Sequence, residues 1–385
     1  MMLELPPLAL YIHIPWCVRK CPYCDFNSHE VGSSPDLPEA AYLRSLEADL
    51  KNSARFAQGR KLQSIFFGGG TPSVVSSRMI GACIDLADSV VGLADNAEIT
   101  LEANPGTAEQ EKFLGFREAG VNRLSIGVQS LNERQLNNLG RIHSASEATT
   151  AIQMARDAGF DNINLDFMYG LQDQTLDQAL GELEQAVAMQ PEHISWYELT
   201  IEPNTEFYRR PPTLPAHDEL TEMSDVGIQH LEAHGYSRYE VSAFAKDGKR
   251  CIHNENYWAF GDYLGIGAGA HEKVTLPDES KIIRRSKTRM PNHYMERIGN
   301  YIAAENRVSA SDLSFEFCMN ALRLIDGVPL KLFQQRTGLP LEQLENALKQ
   351  EVETSLLFPF DNAIQATDLG IRHLNTLLQK LLKEP

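Results

Sequence analysis

Positive charge is scarce in this chain: 35 lysines and arginines stand against 52 aspartates and glutamates, a formal charge of −17 over 385 residues. A surface of that sign repels phosphate backbones and argues against a nucleic-acid binder. No run of 18 apolar residues occurs, which argues against a membrane-spanning helix. The first residues, Met1 to Pro7, carry no basic stretch followed by an apolar core, so no secretory signal is read there. The expectation is a cytoplasmic protein, at most peripheral at a membrane. Internal repeats and low-complexity tracts are absent. Cysteine is sparse, with six in the chain. Thiols stay reduced in that compartment, so disulfides are not expected. Yet Cys17, Cys21 and Cys24 fall within eight residues, which packing of a core does not require.

What is present is a regular alternation. Runs fit for strands occur at Leu8–Ile14, Ser64–Phe67, Glu98–Ala103, Arg123–Gly127, Asn162–Met168 and His193–Leu199. Helix-like stretches separate them: Glu39–Ala57, Met79–Val91, Ala108–Ala119, Ser146–Ala158 and Leu176–Met189. Thr107 with Gln110 and Ser144 with Glu147 read as capping boxes, and Gly120 and Gly159 as helix stops. Strand–helix alternation implies a parallel sheet with covering helices, and about six repeats suggest an α/β fold with a partial (β/α)6 barrel. Chemistry in such barrels sits at the C-terminal ends of the strands. A helix near Leu220–His234 ends the alternation. From about Ser309 the order helix, helix, β-hairpin, helix resembles a winged helix, too acidic here to read DNA. The expected division is 1–240 for the barrel, 241–308 for a connecting segment and 309–385 for the C-terminal domain.

Cys17-Val-Arg-Lys-Cys21-Pro-Tyr-Cys24 follows directly on the first strand. Three thiolates on one tight loop can each hold one iron of a 4Fe–4S cubane, leaving the fourth iron free for an exogenous chelator. S-adenosylmethionine (SAM) can fill that place through its amine and carboxylate. The competing readings are inert thiols or a structural zinc, whose fourth ligand would come from His13, His29 or Asp25. Cys83 and Cys318 lie in apolar stretches and read as core residues; Cys251 adjoins another motif.

Tyr11-Ile-His-Ile-Pro-Trp-Cys17…Cys21…Cys24 resembles the radical SAM superfamily. More closely, it is similar to the branch containing oxygen-independent coproporphyrinogen III oxidase and the HemW heme chaperones, a resemblance running from Leu8 to about Leu382. The resemblance implies a SAM pocket built from Gly70 and Thr71 in Gly68-Gly-Gly-Thr-Pro72, with Glu102, Gln129, Arg141, Asp166, Tyr11, Tyr23 and Thr200. Their chemistry suits SAM, with acids for ribose hydroxyls, an arginine for the carboxylate and aromatics against adenine. Several of them interrupt apolar strands near their C-terminal ends, which burial of isolated polar groups does not explain.

Two features depart from the oxidase pattern CxxxCxxCxC. Phe26 stands where the fourth cysteine would be, and only ten residues precede Tyr11. A third feature matches the chaperone subgroup: His253-Asn-Glu-Asn-Tyr257-Trp258 fits its HNxxYW signature. A neutral imidazole is an apt heme ligand, and Tyr257 and Trp258 can cover a porphyrin face. On these residues alone, ordinary His–aromatic packing is the competing reading. Gly265-Ile-Gly-Ala-Gly-Ala-His271 reads as a tight turn closing the pocket floor, with no nucleotide-binding context. The resemblance implies a heme chaperone carrying a 4Fe–4S cluster with exchangeable SAM. Its expected partners are heme, a heme-accepting protein such as a membrane respiratory protein, and a second copy of the chain. The alternative is a coproporphyrinogen III oxidase working through a 5′-deoxyadenosyl radical. A radical SAM modifier of nucleic acid or protein is disfavoured by the acidic charge and the lack of a basic appended domain. Whether the protein is itself an enzyme is left open by the sequence.

Overall fold

The structure, a computed structural model, describes residues 3–32, 36–106 and 112–382. β1 (Leu8–Ile14), β2 (Leu62–Gly69), β3 (Leu93–Ala103), β4 (Arg123–Gln129), β5 (Ile163–Tyr169) and β6 (His193–Glu198) lie side by side and parallel. All six strands expected from the sequence are present, and β3 begins earlier, at Leu93. Between them run α1 (Glu39–Ser53), α2 (Ser77–Val90), α3 (Phe113–Glu118), α4 (Ala145–Asp157) and α5 (Leu176–Ala188). Ser144 and Glu147 form the expected capping box on α4, and Thr175 with Gln178 forms an unanticipated one on α5. Gly120 and Gly159 end α3 and α4 in the left-handed conformation, at φ 107° and 87°. The box expected at Thr107 and Gln110 lies outside the described residues.

Side chains on a strand alternate between its two faces, and here the two parities differ in kind. Leu10 and Ile12 of β1, Ile65 and Phe67 of β2, Leu124 and Ile126 of β4, and Leu165 of β5 share one core with Leu46, Leu50, Ile80, Ile152 and Leu183 of the helices. The opposite parity carries Tyr11, Ser64, Phe66, Glu98, Thr100, Glu102, Arg123, Ser125, Asn164, Asp166, His193 and Tyr197. A parallel sheet covered by helices on both faces reads as unbroken apolar runs. This one alternates because its second face is the polar interior of a partial barrel.

After β6 comes α6 (His217–Ala233), and then residues 241–308 join the same sheet on both flanks. β7 (Ser237–Glu240) and β8 (Ala243–Ala245) extend it beyond β6. α7 (Ile252–Trp258) crosses back, and β9 (Asp262–Ile266) pairs parallel with β1. β10 (His271–Leu276), β11 (Lys281–Lys287) and β12 (Ile302–Arg307) complete an antiparallel flank. The sheet runs β12-β11-β10-β9-β1-β2-β3-β4-β5-β6-β8-β7. Fully buried ion pairs tie this flank together and to α1: Lys273 of β10 to Asp262 of β9 at 3.0 Å, and Lys287 of β11 to Asp49 of α1 at 2.6 Å.

The C-terminal part packs helices Leu313–Ala321, Leu330–Thr337 and Leu341–Ala347 around Phe317, Phe333, Leu344 and Leu377. Val328 pairs with Ile364, and Leu357 bridges Ala366, giving the small wing expected there. Tyr239 and Phe260 from the barrel side belong to this second core, so the two parts share an apolar seam. Among the described residues, no helix is long and apolar enough to cross a membrane.

Candidate functional site

A cavity of about 290 Å3 opens where the parallel strands end. Cys17, Cys21 and Cys24 form one wall, and Gly70, Thr71, Glu102, Gln129, Arg141 and Asp166 form the others, with Tyr23 between. Thus the structure gathers nearly every residue expected to hold cluster or SAM, from four strands and two loops. Tyr11 and Thr200 do not line it. Tyr11 lies deeper, stacked on Phe66 at 6.4 Å, and Thr200 is exposed past the end of β6.

The cysteine loop is held open by its ends. Trp16 and Cys17 pair with His29 and Glu30, which closes the loop at its base. His13 projects from β1 beneath it: Nε2 donates to the Asn27 carbonyl at 2.9 Å, and Nδ1 accepts from the Tyr11 hydroxyl at 3.2 Å. Both imidazole nitrogens are thereby committed, which removes His13 as a zinc ligand. Asn27 in turn donates to the Ala268 and Arg289 carbonyls, at 3.0 and 2.9 Å. The glycine-rich turn of residues 265–271 is therefore a seat for this loop. A Cβ on Gly269 would lie 2.2 Å from Asn27, and one on Gly267 2.4 Å from the His13 carbonyl. His271 itself is exposed and outside the cavity.

All three thiols are free. Thr71 Oγ1 donates to Cys17 Sγ at 3.5 Å and Arg141 Nη1 to Cys21 Sγ at 3.7 Å. Burial pushes Cys17 up to about 11 and raises Cys24, so these thiols stay protonated until a cation offsets the burial. Arg141 also donates from Nη2 to Asn104 Oδ1 at 2.6 Å and to the Gly127 carbonyl at 2.7 Å, while its buried Nε has no protein partner. Asn104 passes the order on to Thr71 Oγ1 at 3.1 Å. Gly70 admits close backbone approach, since a Cβ there would lie 2.5 Å from the Trp16 carbonyl. Gln129 holds a left-handed backbone, φ 67°, and accepts from the Tyr197 hydroxyl at 2.7 Å. Strain of that kind in a non-glycine residue is characteristic of binding sites.

The two acids of the cavity differ in environment. Glu102 is pushed up to about 8 by burial and by the charge of Asp166, with the Gly69 N–H opposing. Burial also raises Asp166, but Asn164 Nδ2 and Ser125 Oγ donate to it at 2.8 and 3.1 Å and oppose the rise. Near neutrality, then, Glu102 is a protonated donor, while the Asp166 oxygens accept from the side chains beside them. Asn104, Ser125 and Tyr197 line the same space and were not anticipated. Their signal was available: Ser125 and Tyr197 share the polar parity of the strands, and Asn104 lies two residues after Glu102.

The HNxxYW residues sit elsewhere. α7 enters the barrel from the opposite end, and His253 is 8% exposed, its Nδ1 2.9 Å from Ser64 Oγ and its ring 4.9 Å from Phe66. Burial lowers its pKa to about 3, so the imidazole is neutral. Glu98 caps the helix, accepting from Cys251 Sγ at 3.4 Å and from the Ile252 and His253 N–H groups at 3.1 Å each. Cys251 is fully buried and its thiol is pushed up to about 12, which fits it poorly as a ligand in this arrangement. Tyr257 packs on Tyr263 at 5.1 Å, and Trp258 lies 4.5 Å under the Arg323 guanidinium, toward the C-terminal helices. The structure therefore does not bring these three side chains into the cysteine cavity.

Residues 11–186 match the radical SAM superfamily model, and residues 308–373 match the HemN C-terminal domain. The heme chaperone HemW of Escherichia coli (strain K12) is 48% identical over the full length of both chains. The heme chaperone HemW of Bacillus subtilis (strain 168) is 35% identical, over 94% of this chain and 96% of that one. This chain belongs to the HemW family of radical SAM proteins. Among solved structures, coproporphyrinogen III oxidase (HemN) from Escherichia coli superposes with a TM-score of 0.80 over 98% of this chain and 91% of that one, at 22% identity. That likeness establishes the fold alone.

Proposed function

We propose that this protein binds heme and passes it to an acceptor protein, using a 4Fe–4S cluster on Cys17, Cys21 and Cys24 with SAM beside it. The observation that carries this reading is likeness to heme chaperones along the entire chain, at 48% identity to the Escherichia coli protein. Position 26 agrees with it: Phe26 is 64% exposed at the cavity mouth, where the oxidase pattern takes a cysteine. A cytoplasmic setting, an acceptor met at a membrane and a homodimer belong to the same proposal.

The residues present fit the cluster and SAM. Three free thiols share one wall, glycine backbone lies opposite, and Arg141 has a buried Nε without a protein partner, available to a carboxylate oxygen. When bound, such a cluster supplies one electron and an open iron. The protein's own part is to neutralise, orient and exclude water. Arg141 balances the charge of Cys21 and a carboxylate, Glu102 offers a proton to one hydroxyl, and Asp166 accepts from another. For heme, His253, Tyr257 and Trp258 are the proposed contacts. Heme ligation by His253 requires α7 to swing outward, because the imidazole is held by Ser64 and Phe66.

The test is an anaerobic heme titration of the cluster-loaded protein, followed in the Soret band, for wild type and His253→Ala. Saturable one-to-one binding that weakens in the variant supports both the chaperone role and the His253 contact. Saturable binding unchanged by the substitution keeps the role and moves the site. Weak, non-saturating uptake overturns the reading, and decarboxylation of coproporphyrinogen III becomes the activity to assay.

A further inference from the structure

Between the cysteine cavity and α7 runs a line of buried polar groups whose donors all point one way. Cys251, the residue before α7, donates its N–H to the Tyr239 hydroxyl oxygen at 3.3 Å. Tyr239 has one proton of its own, and His193 Nε2 lies 2.8 Å away to accept it. With Nε2 accepting, the neutral imidazole carries its proton on Nδ1, 2.6 Å from Asn164 Oδ1. Asn164 then has its oxygen toward His193 and Ser195 and its amide toward Ser125 and Asp166, at 2.8 Å each for the last two. The line ends on the carboxylate of Asp166, in the cavity wall.

We infer that His193 is a positioning residue: its tautomer fixes the Asn164 amide, which orients Asp166 toward SAM and makes that orientation depend on where α7 sits. This rests on the reading of Asp166 as a SAM contact. Each choice along the line is forced by the one before it. An amide has an acceptor end and a donor end, and only one orientation serves a carboxylate. If the imidazole carried its proton on Nε2, Nδ1 would accept; Asn164 would turn its amide to His193 and face Asp166 with an oxygen. Two like-charged ends would then meet in a buried site. Tyr239 opposes this, because with Nε2 donating to its oxygen beside the Cys251 N–H its own proton would lose its acceptor. His193 and Asn164 are 1% and 2% exposed, and His193 touches neither the cysteine loop nor the cavity. Chains of aligned donors also reinforce each other in a low-dielectric interior. Movement of α7, which heme binding at His253 demands, withdraws the first donor and loosens the last.

The test uses full-length, anaerobically reconstituted protein with the cluster reduced. SAM is titrated while the EPR signal of the cluster is followed, and melting temperatures are recorded in parallel. His193→Leu removes the line. His193→Asn keeps a donor near the Nδ1 position and so restores the Asn164 contact while dropping Tyr239. The expected result is about tenfold weaker SAM binding in His193→Leu and recovery to within about threefold in His193→Asn, with both variants melting earlier to a similar degree. Equal SAM affinity in His193→Leu and wild type overturns the inference, and so does equal weakening in both variants, which marks a merely structural role. Asp166→Asn separates the relay from the contact it serves. If it leaves SAM affinity unchanged, the assignment of Asp166 fails and the inference with it. If it weakens SAM while His193→Leu does not, the relay alone fails.

Discussion

At the rim of the barrel Arg141 keeps a buried Nε without a protein partner, and Glu102 and Asp166 face a cavity of about 290 Å3. At the opposite end Glu98 accepts three donors from one turn of helix, and His253 is bonded to Ser64. The same strands and the same inward parity supply Glu102 and Asp166 at one end and Glu98 and Ser64 at the other. Arg123 departs from the pattern at the closed end, since its Nε lacks a partner although Glu98 lies 3.9 Å away. Polar residues on a strand face become a ligand site only where the chain leaves space beside them. Strands lead into loops at their C-terminal ends, and those loops leave room; at the other end α7 fills the mouth and turns the polar groups on each other. A histidine motif at the filled end is thus a structural plug in this conformation, and its binding role depends on the plug moving.

Substitutions at each end test this contrast. Cys21→Ala should have the greatest consequence: loss of the iron–sulfur cluster, read as loss of iron and of visible absorption after reconstitution, with the melting temperature of the unloaded protein within a few degrees of wild type. Retention of a full complement of iron would refute the assignment. At the closed end, Glu98→Gln leaves the α7 N–H donors and Arg123 poorly matched and should destabilise by about 2–3 kcal/mol in denaturant unfolding. Its SAM affinity should fall less than that of Arg141→Ala, because the changed group reaches the cavity only through α7 and the line that ends on Asp166. Arg141→Ala should do the reverse, weakening SAM by roughly tenfold or more while costing little stability. A loss of stability there as large as that of Glu98→Gln would dissolve the distinction between open and closed ends.

A subtler effect concerns pH. Glu102 has its folded pKa raised from 4.5 to about 8, so the folded protein keeps a proton that the unfolded chain has released. Stability is therefore lost as pH rises through the window from 4.5 to about 8. Glu102→Gln removes that dependence. The variant should melt with wild type near pH 4.5 and a few degrees above it at about pH 8.5. Parallel melting curves at both pH values would show that the unloaded cavity is wetter than its geometry implies.

Much of the site was legible in the sequence because its signals are local. Three cysteines within eight residues need no tertiary context to point to one metal group. Glu102, Gln129 and Asp166 were implied by the family resemblance, and polar residues that interrupt apolar strands near their ends agreed with it. Gly269 was read as part of a tight turn, but its reason, the Asn27 side chain 2.2 Å from an added Cβ, links residues far apart in sequence. Residues 241–308 read as a connector because the strand–helix alternation ends before them; that β9 pairs with β1 depends on a parallel register no local pattern encodes. Tyr11 lies on the first strand and Thr200 just past the sixth, yet one lies too deep and the other too far out to line the cavity.

The cysteine loop, the alternation of strand and helix, and the split of each strand into an apolar and a polar parity are all written in the sequence. Those are properties of spacing along one segment, where neighbours are fixed by covalent geometry. Which polar residues stay open and which are closed depends instead on how distant segments meet. Whether His253 faces a ligand or Ser64, a residue 189 positions away, is set by the insertion of α7 into the barrel. Burial, and with it the protonation of Glu102, His193 and His253, follows from what packs against a group, and that is a property of the folded chain alone.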